Sequence, residues 1–112
     1  MTASIFEQII NKQVPAEILF EDDLVIAIKD INPAAPIHFL VIPKHKIVDM
    51  NAASAANNTL LGHCLTIGRS IMIDQKHMDY RIVINTGEKA GQTVPHLHLH
   101  FMAGRPFTWP PG

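Results

Sequence analysis

"VPHLHLHFMAGR", Val94 to Arg105, sets histidines at positions 96, 98 and 100 with a leucine in each gap and Phe101 after the last. Side chains alternate across an extended chain, so a strand over His96–Met102 sends His96, His98 and His100 to one face and Leu97, Leu99 and Phe101 to the other. The apolar face reads as core. The imidazole face needs a reason, because a solvated strand face is ordinarily built from Lys, Glu and Thr, and one histidine there would be unremarked.

Two chemistries use such a face. Imidazole is the commonest metal ligand, but His96 and His100 would stand about 13 Å apart along a strand, so a second strand would have to supply ligands, with His38 as one candidate. No Cys pair and no HExxH segment accompanies them. The alternative is catalysis at phosphorus, in which one neutral imidazole attacks while its neighbours bind phosphoryl oxygens and move protons. A cationic neighbour would lower the middle histidine's pKa and keep it nucleophilic, and each second ring nitrogen needs a fixed partner.

Outward from this segment the pattern is that of an α+β domain. Tyr80 to Asn85 reads as the preceding strand, separated from the histidines by "TGEKAGQTV", a loop too long for a tight turn and of the kind that binds ligands. Upstream, Leu61, Cys64, Leu65, Gly68, Ile71 and Met72 recur at helical intervals, with Asn57 or Asn58 as the cap. Glu17–Glu21 and Leu24–Lys29 read as a hairpin across Asp22-Asp23, and His38–Ile42 as a strand bracketed by "NPAAP" and Pro43. Ser4 and Glu7 have capping-box spacing, predicting a short helix to about Lys12 with Phe6, Ile9 and Ile10 on one face. Five strands and two helices, grouped without regular alternation, predict a mainly antiparallel sheet in one domain over residues 1–112.

Composition removes several classes of partner. With 47% hydrophobic residues, 17% charged and a formal net charge of −1, the chain calls for neither disorder nor a nucleic-acid surface. No apolar run approaches the roughly 18 residues that span a bilayer, so no membrane is expected. The single cysteine, Cys64, has no internal disulfide partner, and "MTASIFEQIINKQ" has no basic, apolar leader pattern. A cytoplasmic location is the default expectation.

His96-Leu97-His98-Leu99-His100-Phe101-Met102 resembles the His-x-His-x-His-x-x signature, with x apolar, of the histidine triad (HIT) family. "FEDDLVIAIKDINPAAPIHFLVIPKHK", "YRIVINTGEKAGQTV" and "GRPFTWPPG" are similar to the corresponding stretches of its Hint branch, so the resemblance runs over nearly the whole chain. It implies a HIT-like fold, a homodimer, and a purine nucleoside phosphoramidase. Such an enzyme hydrolyses the P–N bond of adenosine or guanosine 5′-phosphoramidates through a nucleotidyl-histidine intermediate, with no cofactor and no metal.

By the same resemblance His98 is the nucleophile, His100 contacts the phosphate and leaving group, His96 supports the nucleophile from behind, and His38 is the fourth histidine of the proton network. Gly91, Gln92 and Thr93 offer amides and a hydroxyl to phosphate, together with His98, Leu99 and His100; Asp30 is the ribose acceptor and Asn85 a further nucleotide contact. Ile31, Phe6, Ile9 and Ile28 are expected to wall the base, and Trp109 to lie near the partner subunit's site. Gly62 and Gly68 mark the second helix either for a dimer interface or for packing on its own sheet.

Two positions depart from the branch. Pro95 removes a ladder N–H just before the histidines, and in "PKHK" His45 comes too early to match the usual histidine, so His45 carries no expected role. His63 and His77 read as ordinary surface or core residues. Three rivals stand beside the phosphoramidase: a HIT hydrolase of dinucleoside polyphosphates, a nucleotide-binding adaptor with incidental catalysis, and a metalloprotein.

Overall fold

The computed structural model describes residues 3–112. Five strands, β1 (Ile18–Glu21), β2 (Val25–Lys29), β3 (Ile37–Pro43), β4 (Tyr80–Val83) and β5 (Leu99–Ala103), form one sheet in the order β1-β2-β3-β5-β4. Every neighbouring pair is antiparallel, as the grouped elements predict. Helix α1 (Ile5–Ile10) and helix α2 (Asn58–Asp74) lie on opposite faces. Among the described residues no helix is long and apolar enough to cross a membrane.

Alternation along the strands builds two separate cores. Val25, Ala27, Phe39, Val41, Leu99 and Phe101 point to the α2 side, where they meet Cys64 and Met72. Ile26, Ile28, Leu40 and Ile42 point the other way and meet Phe6 and Ile9 of α1. The central strand residues are therefore apolar on both faces, which explains why β2 is a continuous hydrophobic run instead of an alternating one.

On the α2 side, Phe39 and Phe101 stack at 5.2 Å, and a β-carbon at Gly68 would run into the Phe101 ring. Gly68 thus brings α2 onto its own sheet, while Gly62 has nothing around it. On the other face α1 is only six residues long, too short to persist alone. It is held by burial of Phe6 and Ile9 and by the expected capping box, with the Glu7 amide donating to Ser4 Oγ and the Ser4 amide to Glu7 Oε1.

Three boundaries differ from expectation. The Asn57 side chain does not cap α2: its Oδ1 accepts from the Ser54 amide, and Ser54 caps a short 3-10 turn, Ala55–Asn57, that leads into the helix. Strand β4 stops at Val83, so Asn85 lies in the following loop. Strand β5 begins at Leu99, three residues later than the histidine spacing predicts. Leu97 is tied instead to the loop after β3, its amide donating to the Ile47 carbonyl at 2.7 Å. Pro95 therefore interrupts no strand ladder, because regular pairing has not begun there.

Candidate active site

The alternation of the histidine segment survives although its first half is not strand. Leu97, Leu99 and Phe101 enter the α2 core, whereas His96 and His98 both lie edge-on to Phe6 of α1, at centroid distances of 6.1 and 4.9 Å. His100 sits 5.0 Å from the His98 ring, and β3, paired with β5, brings His38 beside it. Four imidazoles from two neighbouring chain segments thus share one face of the sheet.

His98 is nearly buried, and its Nδ1 lies 2.8 Å from the His96 carbonyl. A carbonyl only accepts, so Nδ1 carries the proton and Nε2 keeps its lone pair. Burial holds His98 below the ordinary imidazole range, against the opposing pull of the His96 carbonyl and the Asp30 charge. The expected cationic neighbour is not what keeps this ring neutral; loss of water around it is.

His100 and His38 face each other through Nδ1 and Nε2 at 2.9 Å. The tautomers follow from the far side of His38, where the Ala34 amide donates to Nδ1 at 2.9 Å. With Nδ1 accepting, neutral His38 carries its proton on Nε2 and donates it to His100 Nδ1, leaving the His100 proton on Nε2. Asp30 closes the group, its Oδ2 being 3.3 Å from His38 Nε2 and 4.0 Å from His100 Nδ1. Burial, then the neighbouring His98 and His38, push His100 down to about 4, with Asp30 acting in the opposite direction. His38 is lowered by burial as well, again opposed by Asp30.

His96 is fully enclosed and belongs to the wall behind His98. Its Nε2 donates to the Pro43 carbonyl at 2.7 Å, while its Nδ1 is buried with no partner among the described residues. Burial lowers its pKa too.

His98 and His100 open into a cavity of about 270 Å³ whose apolar side is Phe6, Ile9, Ile28 and Leu40. Asp30, Ile31 and Thr93 stand at the same cavity, so most of the anticipated nucleotide contacts converge. Ile31 is 93% exposed there, an apolar side chain left open at the cavity edge. A groove of about 780 Å³ between Lys76–Arg81 and Gly104–Phe107 is larger, but it contains none of the buried histidines.

Other expected residues take different places. The Gln92 side chain stitches the loop together, its Nε2 donating to the Val48 and Val94 carbonyls and its Oε1 accepting from the Gly87 amide. Gly91, in the left-handed region at φ +100°, packs beside Asn85, and neither lines the cavity. Leu99 faces the opposite core, so only its main chain is near the histidines. Trp109 is 83% exposed and away from the cavity. The residues the sequence reading missed are Ala34 and Pro43, which act through main-chain atoms, and Ile5, Lys29, Leu40 and Val94 lining the cavity. Main-chain donors and acceptors leave no signature in residue type, so no pattern pointed to Ala34 or Pro43.

Asp30, His38 and His100 bring three donor atoms within 4.8 Å of one another, a spacing compatible with one cation. The surrounding bonds are of the wrong sense. A metal-bound imidazole normally donates from its other nitrogen, whereas the other nitrogen of His38 accepts from Ala34. The donor set fits a proton network better than a metal site.

The family model described as scavenger mRNA decapping enzyme C-term binding matches residues 3–107. A HIT-like protein of Synechocystis is 49% identical over 110 residues, covering 97% of this chain and 96% of the relative. A HIT family hydrolase from Legionella pneumophila superposes with a TM-score of 0.95 at 38% identity, over 98% of this chain and 100% of that one. Another from Clostridium thermocellum gives 0.92 at 38% identity, over 96% of each chain. Matches of this extent, on a chain whose histidines converge as described, place the protein in the HIT family.

Proposed function

We propose that the protein, one HIT domain over residues 1–112, is a purine nucleoside phosphoramidase of the Hint type. The reading rests on the His98 ring: with Nδ1 bound to the His96 carbonyl, Nε2 is a free lone pair on a ring that lines the cavity. At about 270 Å³ the cavity is smaller than sites that enclose whole ligands, commonly about 300–1,000 Å³. A purine and its ribose fill it, leaving the phosphate at the histidine end. Phe6, Ile9 and Ile28 hold the base, and Asp30 accepts from the ribose hydroxyls.

In the first step His98 Nε2 forms a bond to phosphorus as the P–N bond breaks, and the electron pair leaves with the amine. The amine takes its proton from His100 Nε2. The phosphate anion counteracts the burial that lowers His100 in the empty site, so the acid form arises with the substrate. Asp30 Oδ2, between the two rings, accepts when both carry protons on that side. In the second step water attacks phosphorus, its proton goes to His100 Nε2, and the bond to His98 breaks to release nucleoside monophosphate.

Incubation with adenosine 5′-phosphoramidate followed by rapid quench yields a protein–AMP adduct by mass spectrometry, absent in His98→Ala. An absent adduct together with undiminished turnover in His98→Ala would overturn the assignment. Because the matched family model is named for a decapping enzyme, diadenosine polyphosphate is the comparison substrate; faster turnover of it than of the phosphoramidate favours the polyphosphate hydrolase instead. The working unit is a homodimer in this reading, with Trp109 reaching the partner subunit's site, checked by light scattering and by the effect of Trp109→Ala on leaving-group preference.

A further inference from the structure

One side chain outside the histidine face grips the loop that sets the tautomers. Arg105 Nε donates to the Ala34 carbonyl at 3.1 Å, 71 positions away in sequence, and Arg105 Nη1 donates to the Pro106 carbonyl at 3.0 Å. The guanidinium lies 4.3 Å over the Phe107 ring, which fixes its orientation. Gly104 makes this approach possible. At φ +98° it turns the chain out of β5 directly against Pro36, where a β-carbon would be only 2.9 Å from Pro36 Cβ.

The gripped loop, Asn32 to Pro36, bridges the two ends of the proton network. It is anchored at one end by the Asn32 amide donating to Asp30 Oδ1 at 2.8 Å, and the Asp30 amide donates to the His38 carbonyl at 3.0 Å. Ala34, at its tip, is exposed, and its own bonds are those from its carbonyl to Arg105 and from its amide to His38 Nδ1. Exposed loop tips with so few contacts are the mobile parts of a fold. Beside the buried Ala35, the Arg105 side chain is bonded to this tip.

We infer that Arg105 is a positioning residue: by holding Ala34 it keeps the amide on His38 Nδ1, and so keeps the resting proton of His100 on Nε2, the nitrogen turned toward the phosphate. If the amide withdraws, His38 is free to carry its proton on Nδ1 and to accept at Nε2. His100 then donates from Nδ1 and has no resting proton on Nε2 for the departing amine. Asp30 Oδ2 near His38 Nε2 also favours the working tautomer, so loss of Arg105 shifts the balance without abolishing it. This deepens the phosphoramidase reading and rests on it for the kinetic effect, but the tautomer claim itself needs no substrate.

The test begins with long-range nitrogen–proton NMR of the histidine rings near about pH 7, where neutral tautomers are distinguished by their nitrogen shifts. The wild-type protein shows His38 and His100 as Nε2–H tautomers, and Arg105→Ala shifts both toward Nδ1–H. Ala34→Pro, which deletes the amide donor and leaves Arg105 intact, gives the same shift. Arg105→Gln, which keeps a side-chain N–H, retains more of the wild-type pattern and serves if Arg105→Ala does not fold. Kinetically, Arg105→Ala lowers kcat for adenosine 5′-phosphoramidate by about tenfold, while a nucleotide ester of nitrophenol, whose leaving group needs no proton, loses much less. Unchanged tautomers in folded Arg105→Ala, or equal losses for the two leaving groups, overturn the inference. Absence of turnover in the wild-type protein sinks the phosphoramidase reading alone, since the spectra still decide the role of Arg105.

Discussion

The segment from His96 to Phe101 is covered on both sides, yet the two sides are covered differently, and His100 is only half-buried. Leu97, Leu99 and Phe101 vanish under a 17-residue helix among apolar neighbours, where dispersion and loss of water-exposed surface stabilise them without any directional requirement. His96 and His98 lie under a six-residue helix with the half-buried His100 beside them, and a buried ring nitrogen left without a partner costs free energy. The partners they have are main-chain groups or another imidazole, the Pro43 and His96 carbonyls, the Ala34 amide and His38, while His96 Nδ1 has none among the described residues. One side of the segment holds the fold; the other is a set of proton-bearing groups that the fold keeps dry.

The largest effect that separates the two sides is that of His98→Ala, expected to lower kcat by at least about a thousandfold while leaving thermal unfolding nearly in place. Comparable loss of stability would mean that the imidazole side is structural after all. The mirror change, Phe101→Ala, is expected to destabilise by about 3–5 kcal/mol, read from urea unfolding, because Phe39 and α2 pack on that ring. If the residual folded protein shows an altered chemical step instead of an altered unfolding midpoint, the division into two sides fails.

A pH titration of stability sharpens the comparison. All four imidazoles are lowered on folding, chiefly by burial, so the unfolded chain takes up protons first as pH falls. Their contribution is complete above the ordinary value of 6.5 and, for His100, is lost progressively down to about 4. The urea midpoint should therefore decline across that interval, and His100→Gln should make the decline shallower. A midpoint independent of pH there would show that these rings are not kept neutral by burial. The smallest change concerns the thin cover: Ser4→Ala removes the α1 cap and is expected to lower stability by about 1 kcal/mol, with a larger effect on KM than on kcat because Phe6 and Ile9 wall the cavity. An unchanged KM would separate α1 from substrate binding.

Much of the architecture was legible because it depends on periodicity. The capping box at Ser4 and Glu7, the hairpin around Asp22, and the helical recurrence from Leu61 to Met72 each follow from spacing within a short window. The start of β5 was misread because alternation of side chains does not require a paired neighbour: His96 and Leu97 alternate correctly while bonded to loops instead of to a strand. The convergence of His98 and His100 with Asp30 and Phe6 was expected from family resemblance, and the cavity collects them. Gln92 and Asn85 had equally suggestive positions, but their side chains sit within the loop that carries them, a choice made by distant carbonyls such as that of Val48.

By itself the amino-acid order determined which residue types alternate, the capping box that starts α1, and that imidazoles stand back to back with a leucine–phenylalanine core, since these are consequences of local backbone geometry. Only the tertiary structure decided the proton positions. They depend on an amide at Ala34, a carbonyl at Pro43 and a guanidinium at Arg105, all brought in by chain segments remote in sequence. Every residue type offers the same backbone donor and acceptor, so which of them meets a buried ring is a matter of three-dimensional path alone.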